Sequence, residues 1–359
     1  MDTNIGFADQ LSVDSSQIME FYKNNWQRKI ALSDKKFHVW QFENAIENKG
    51  SNSCVVALHD DRLVGVMGLN KRKFYFENQC LDGAELTTWV VEKKIKGSSA
   101  GAKILNYITR NFEVLFGMGI TEDALSIYLR SGFHYLRYIP RYIYIVDAKK
   151  ILEISDHAPY SRKLIRNTYG EPSKSEVEKI TWEDQFQAPF VEGNHFTRSL
   201  EDLIWRYDNH PYFKYNSYKT TSVDGNVGYV VLREEITNEI KILHVIDILG
   251  PEASFECSIS FIESYAREKG FWAVDVYSTL SRLNKYLINR LWLSAVDASF
   301  INVPHLFHPL EVRNPATTSL IYWSKNSNVN FLDVSNIYIT KQDCDLDRPT
   351  MDFIEFNYK

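Results

Sequence analysis

Gly83-Ala84-Glu85-Leu86-Thr87-Thr88-Trp89-Val90-Val91, followed after residues 92–96 by Gly97-Ser98-Ser99-Ala100-Gly101-Ala102-Lys103-Ile104-Leu105, decides the fold of this chain. A strand ends, a loop of small residues turns, and a helix begins. Small residues let successive backbone N–H groups approach a ligand, and a helix start adds unpaired donors and a positive dipole end. A pyrophosphate suits that concavity. The alternative is a small-residue turn with only a structural role. The stretch is not a Walker loop, because no Gly-Lys-Ser/Thr follows, and it is not Gly-x-Gly-x-x-Gly. Beyond it, residues 97–116 place Ile104, Leu105, Ile108, Phe112 and Leu115 at the spacing of one helix face.

Working outward, one pattern is written twice. In the first half Trp40-Gln41-Phe42 precedes a strand at residues 54–58, a polar turn at Asp60-Asp61 and a strand at residues 63–69. In the second half Trp205-Arg206-Tyr207 precedes a strand at residues 218–223. An Asp224-Gly225-Asn226 turn, a good hairpin signal, then leads into residues 227–232. Each half continues strand, helix, strand, the second with Phe255, Ile259, Ile262 and Ala266 on one helix face before a strand at residues 273–277. The expected class is α/β with mixed sheets, in two tandem units. Pro159, Gly170 and Pro172 mark a polar linker over residues 148–178, separating units 1–147 and 179–359.

Composition narrows the function. At 359 residues the chain can hold two cores of ordinary size. A formal charge of −5 and the absence of a Lys/Arg-rich block argue against nucleic acid or an anionic membrane as partner. Cys54, Cys80, Cys257 and Cys344 are scattered, which fits reduced thiols better than a disulfide frame or a zinc site. No metal is expected. The start lacks the look of a signal peptide and no apolar run spans a membrane, so the expected location is the cytoplasm. Near the end, Asp343, Asp345 and Asp347 alternate like a calcium loop. The sixth-position glycine is missing and Ile354 stands where a bidentate Glu is required, so a solvated acidic turn is expected.

Lys96-Gly97-Ser98-Ser99-Ala100-Gly101 resembles the phosphate loop of GNAT (Gcn5-related N-acetyltransferase) acyltransferases, Arg/Gln-x-x-Gly-x-Gly/Ala, with Lys for Arg and Ser for the first Gly. Tyr128, Gly132 and Phe133 likewise resemble that family's helix ending in Tyr-x-x-x-Gly-Phe, although the family often has Asn where this chain has Asp123. A strand at residues 142–146 is then expected to close the first sheet. The resemblance implies acyl-CoA as co-substrate, held by Trp89, Val90, Val91, the loop residues Lys96, Gly97, Ser98, Ser99, Ala100, Gly101 and Ala102, and Asp123. It implies a backbone N–H at residues 89–91 polarising the thioester carbonyl, Tyr128 protonating the departing thiolate, and a neutral amine attacking. Glu85 is the best local base; a salt-bridged structural carboxylate is the competing reading. His308 or His305, in Pro304-His305-Leu306-Phe307-His308-Pro309, is the substitute.

The second unit reads as degenerate. Its corresponding turn is Gly250-Pro251-Glu252, where Pro251 supplies no N–H and Glu252 repels a pyrophosphate, so one CoA site per chain is expected. Its opening segment interleaves His195, Arg198, Trp205, Arg206, Tyr207 and His210, which suits a phosphorylated, base-containing acceptor; a helix with an aromatic core face is the alternative. The whole-chain layout is similar to bacterial tandem-GNAT sugar N-acyltransferases. That implies acetyl or hydroxybutyryl transfer to a nucleotide-linked amino sugar such as a dTDP-3-amino-3,6-dideoxyhexose, for surface polysaccharide. Two rivals stand beside it: an aminoacyl-tRNA-dependent peptidoglycan transferase, and a GNAT repeat that binds a ligand without catalysis.

Overall fold

Asp60 and Asp61 both take positive φ, 48° and 58°, and so turn two strands back on each other in the sense that matches their twist. This hairpin opens the first sheet. The computed structural model describes residues 3–77, 79–92, 99–170, 172–295, 300–326 and 333–359. Strand β1 (Thr3–Phe7), helices α1 (Ser15–Asn25) and α2 (Lys35–Phe42) and the meander β2 (Val55–His59), β3 (Arg62–Phe76), β4 (Gln79–Val91) come first. Then follow α3 (Ala100–Asn111), β5 (Val114–Met118), α4 (Glu122–Arg130), β6 (His134–Leu136) and β7 (Arg141–Ile145). The middle of the chain holds α5 (Ala148–Ile154), α6 (Ser161–Leu164), β8 (Ser175–Ile180), β9 (Asn194–Phe196) and α7 (Leu200–Leu203). The second meander is β10 (Asn216–Ser222), β11 (Val227–Thr237), β12 (Ile240–Leu249), then α8 (Phe255–Glu268), β13 (Ala273–Tyr277), α9 (Ser281–Asn289) and β14 (Leu293–Ser294). Short strands β15 (Leu306–Phe307) and β16 (Leu310–Glu311) precede β17 (Leu320–Ser324), β18 (Ile337–Tyr338) and α10 (Met351–Tyr358).

Among the described residues the strands form two large mixed sheets. The first runs β1-β2-β3-β4-β5-β17-β6, with β9 and β18 attached beside β3; the second runs β14-β7-β13-β12-β11-β10-β8. Each contains an antiparallel meander, a crossover helix and a parallel return strand, β4-α3-β5 in one and β12-α8-β13 in the other. The mixed α/β class and the repeated topology thus match the sequence reading.

Two expectations need correction. The helix after the small-residue turn stops at Asn111, and Leu115 lies on β5 instead. Strand β7 does not close the first sheet: it pairs antiparallel with β13 in the second. The first sheet is extended by β17, which pairs with β5 and β6. Each half therefore lends a strand to the other, and local periodicity cannot reveal which sheet a strand joins. The stretch 148–178 holds α5, α6 and the start of β8, which pairs with β10.

Helices α2 and α3 cover opposite faces of the first sheet. Phe37, Trp40 and Phe42 pack with Val56, Val66 and Val90, whereas Ile104, Leu105 and Ile108 pack with Val55, Ala57, Val64 and Met67. Strand residues alternate between the two sets, as the two-residue period requires. Each fully buried aliphatic or aromatic side chain contributes about 1.5–3 kcal/mol.

Candidate functional site

Pairing between β3 and β4 steps from Leu69↔Leu86 to Met67↔Trp89, so Thr87 and Thr88 together face Gly68 alone. This is a β-bulge. Glycine is needed opposite it, because a Cβ on Gly68 would lie 2.5 Å from Cζ of Phe42 and 2.6 Å from Oγ1 of Thr87. The bulge is pinned from two sides: the Tyr22 hydroxyl donates to the Thr88 carbonyl at 3.3 Å, and Arg348 Nη1 donates to Thr88 Oγ1 at 2.6 Å. On its other edge β4 pairs with β5 from Gly83↔Val114 to Leu86↔Gly117 and no further. Past the bulge the two parallel strands part, and the sheet opens beside Trp89. Such an edge can pair with an extended, amide-containing ligand.

The opening is flanked by aromatic rings. Trp89 meets Tyr128 edge-on at 5.2 Å, and Tyr128 packs on Phe133 at 5.1 Å. Gly101 lets α3 approach, since a Cβ there would stand 2.9 Å from Cζ2 of Trp89. Burial, with Cys344 adding to it, pushes the Tyr128 phenol well above its ordinary pKa, so it stays protonated and able to donate. Ser99 begins α3 in a left-handed conformation (φ 49°) and gives the helix no side-chain cap. The first turn carries no acidic residue, so nothing there cancels the positive helix end. Ala100 is buried and Ala102 exposed in this turn; Val90 is buried and Val91 half-buried on the strand; Asp123 is exposed in the first turn of α4. Lys96, Gly97 and Ser98 lie outside the described residues.

Four residues before Trp89, Glu85 is buried at a small, partly open chamber of about 10 Å³. Trp40, Trp205 and Arg206 wall it, with Asn70, Arg72, Asp345 and Asp347. Glu85 accepts from Arg72 Nη1 at 2.7 Å and Asn70 Nδ2 at 3.2 Å. Burial outweighs the attraction of Arg72, Asp343 adds repulsion, and the Glu85 carboxyl is lifted to about 7. That value suits proton exchange near neutral pH. Asn70 Oδ1 and Arg72 Nε are buried there without a protein partner, a costly arrangement that a polar ligand group relieves.

The alternating carboxylates of the tail are not a solvated turn. Asp343 is fully buried between Arg198 Nη2 at 2.9 Å and Arg72 Nη1 at 3.3 Å. Asp345 pairs with Arg348 at 2.7 Å, and Asp347 with Arg233 at 3.0 Å and Arg206 at 4.0 Å. Burial works against ionisation of Asp343, but Arg198 and Arg72 win and hold it below its usual range. The segment is an acidic strap threaded between arginines from both halves. Period-two carboxylates matched to buried arginines on β3 (Arg72) and β11 (Arg233) were the signal for it.

Of the six residues expected to hold the acceptor, Trp205 and Arg206 reach the chamber. Each set of Arg198 nitrogens already has an acceptor: Asp247 at 2.8 Å, Asp343 at 2.9 Å and the Phe196 carbonyl at 3.0 Å. Tyr207 donates to Asp247 at 3.0 Å. His210 lies buried against Trp40 at 4.4 Å and accepts the N–H groups of Tyr212 and Phe213; burial keeps it neutral. His195 faces the Gly193 carbonyl at 2.9 Å and Tyr75, with burial lowering it to about 4. His308 is held by Glu235 at 3.1 Å and Thr237 at 2.8 Å, in a cluster apart from the chamber lining. His305 adjoins Arg141 at 3.3 Å, and burial lowers it to about 3.

The second unit repeats the geometry and closes it. β11 and β12 step from Leu232↔Val245 to Val231↔Asp247, and β12 leaves β13 after Val245↔Val276. By register His244 stands where the first unit has Glu85. Here, however, the Ile248 N–H donates to the Tyr338 hydroxyl at 2.8 Å, and that hydroxyl also meets the Ile248 carbonyl and Asp247. The chain's own tyrosine occupies the parted edge, a cause of degeneracy that the turn at Pro251 did not disclose.

No protein-family model matches the sequence, and no curated protein matches it significantly. Solved structures do match in fold. A GCN5-related N-acetyltransferase from Anabaena variabilis ATCC 29413 superposes with a TM-score of 0.54 at 13% identity, over 92% of this chain and 74% of its own. One from Kribbella flavida gives 0.52 at 11% identity, over 90% and 72%. A conserved protein of unknown function from Enterococcus faecalis V583, described as a probable N-acyltransferase, gives 0.51 at 11%, over 77% and 65%. At such identities the likeness is one of fold, and over nearly its whole length this chain has the mixed α/β architecture of GCN5-related N-acetyltransferases.

Proposed function

We propose that the chain is an N-acyltransferase that takes its acyl group from acyl-CoA. The observation that carries this reading is the parted edge of β4 beyond its bulge, with Tyr128 on one side and Glu85 four residues away from Trp89 on the other. In this reading the pantetheine arm pairs with residues 87–91, and the start of α3 faces the diphosphate. A backbone N–H beyond the bulge polarises the thioester carbonyl and then holds the oxyanion. Glu85, as carboxylate, takes a proton from the acceptor ammonium, and the free amine attacks the carbonyl carbon. The tetrahedral intermediate collapses with cleavage of the C–S bond; Tyr128 gives its proton to the leaving thiolate and regains one from the amide nitrogen, which sheds its surplus proton. The products are an amide and CoA thiol. The buried histidines are neutral, and His308 is occupied by Glu235 and Thr237, which favours Glu85 as base.

The acceptor amine belongs at the chamber, where Asn70 Oδ1, Asp345 and Asp347 add acceptors beside Glu85. The narrower reading is the amino group of a nucleotide-linked amino sugar, such as a dTDP-3-amino-3,6-dideoxyhexose, with the second unit shaping the acceptor side. It rests on the whole-chain resemblance in layout. Incubation of purified protein with acetyl-CoA and a dTDP-linked amino sugar, read as free thiol and as acylated product by mass spectrometry, tests it. Thiol release that depends on the amine supports the reading; acetyl-CoA left intact with every amine offered refutes it.

A further inference from the structure

Gln41 is the residue of the chamber wall that the fold leaves unsatisfied. It lies on α2 between Trp40 and Phe42 and is 1% exposed, yet neither Nε2 nor Oε1 of its amide has a hydrogen-bond partner among the described residues. Its counterpart in the twice-written pattern, Arg206, lines the same chamber but is engaged, donating to the Tyr215 hydroxyl at 3.0 Å and to the Asp347 carbonyl at 2.8 Å. Burying an amide with both ends empty is costly, and an apolar side chain of the same size would serve packing better. The amide stands beside Asp345, whose charged form it favours, so its NH₂ end is drawn to that carboxylate and its oxygen is left for another donor.

A second oxygen at the chamber is free. Asn70 donates through Nδ2 to Glu85 at 3.2 Å, and its Oδ1 is buried without a partner. Gln41 Oε1, Asn70 Oδ1 and the Glu85 carboxylate are thus three acceptor groups at one chamber, carried by α2, β3 and β4. Arg72 answers only Glu85 among them, through an Nη1 that Gln342 Oε1 at 3.0 Å and Asp343 at 3.3 Å also share. Its Nε, unpartnered as well, is a donor and leaves the two amide oxygens as they are.

A primary ammonium group carries three N–H bonds, one for each acceptor group. Once Glu85 takes one proton the neutral amine keeps two, and hydrogen bonds from these to two fixed amide oxygens set the direction of the nitrogen lone pair. A secondary amine has one N–H fewer, and its additional alkyl group would leave a buried oxygen unpaired. We propose that Gln41 is a specificity-determining residue, which with Asn70 and Glu85 forms a cradle for a primary amine and excludes secondary ones. Orientation of the amine for attack rests on the acyltransferase reading; binding of a primary ammonium does not.

The first test follows thermal unfolding of the full chain in methylammonium chloride and, at equal concentration, tetramethylammonium chloride. Methylammonium is expected to raise the midpoint saturably, and tetramethylammonium, which has no N–H, is not. Gln41→Met is expected to weaken methylammonium by about tenfold or more, while its own midpoint without either salt equals or exceeds that of the wild type, because the unpartnered amide is gone. Gln41→Glu keeps an acceptor oxygen and is expected to keep the binding. Equal effects of the two salts, equal binding by Gln41→Met, or a Gln41→Met chain that melts below the wild type overturns the proposal. The second test measures thiol release from acetyl-CoA with a dTDP-linked amino sugar and with its N-methyl derivative. The primary amine is expected to be preferred at least about tenfold by the wild type, and Gln41→Met to lose most of that preference. Thiol release that is unchanged in Gln41→Met overturns the cradle and leaves the acyltransferase reading standing. A chain that binds methylammonium through Gln41 but releases thiol with no amine overturns the acyltransferase reading and leaves the cradle.

Discussion

Trp40 and Trp205 stand 165 residues apart and clasp each other: their rings stack at 4.7 Å and 13°, and each indole N–H donates to the other's backbone carbonyl, at 3.1 and 3.0 Å. They are the tryptophans of the twice-written pattern, so the repeat seen in the sequence is also the seam between its halves. The seam forms one wall of the chamber. Trp40→Ala or Trp205→Ala is expected to lower stability by about 3–5 kcal/mol. In a double-mutant cycle by urea unfolding the two losses are expected to be strongly non-additive, because each ring's partner is the other. Additive losses would mean that the clasp does not act as a unit.

Glu85→Gln is expected to lower turnover about 10²–10⁴-fold while leaving acetyl-CoA affinity unchanged. In the wild type the rate should rise with pH through about 7, as the carboxyl loses its proton. The stability consequence has the opposite sense. The folded pKa lies above the ordinary carboxyl value of about 4.5, so the native state holds a proton that the unfolded chain releases, and stability falls as pH rises from about 4.5 to about 7. Both trends should vanish from the Gln variant, as followed by pH–rate profiles and by urea unfolding across that window.

Tyr128→Phe keeps the ring packing on Trp89 and Phe133 and removes only the hydroxyl. Turnover is expected to drop about 10²-fold or more, with the acetyl-CoA dissociation constant little changed. Pre-steady-state thiol release checks it; an unaltered rate removes Tyr128 from the reaction.

Asp343→Ala leaves Arg72 and Arg198 buried without their shared counter-ion. A loss of about 3–5 kcal/mol is expected, measured as a lower urea midpoint at unchanged slope. Asp224→Ala, at an exposed turn position outside the left-handed residues, is the matched control and should cost little.

The fold was largely legible because its strands and helices carry clean periods, as in the face of α3 at Ile104, Leu105 and Ile108. What periodicity cannot state is which sheet a strand joins, and so β7, expected in the first sheet, lies in the second, while β17 extends the first. Of the candidate site, Glu85 was nameable from its strand, and Trp89 and Tyr128 from the resemblance carried by one strand, one turn and one helix. The chamber was not. Its lining joins Trp205 and Arg206, both readable as acceptor candidates, to Arg72 and Asp347, which look like solvated surface charges in sequence and are buried because the strap crosses between the halves. His244 in the place of Glu85, and Tyr338 across the second edge, likewise depend on a register that no single segment encodes.

The central claim is that one parted edge, that of β4, is open to acyl-CoA, while its counterpart on β12 is closed by Tyr338. Calorimetric titration of the purified chain with acetyl-CoA measures this directly. The account predicts saturable binding at one equivalent per chain, abolished by blocking the β4 opening with Gly101→Val and untouched by Tyr338→Phe. No binding at all, or two equivalents in the wild type, would contradict it.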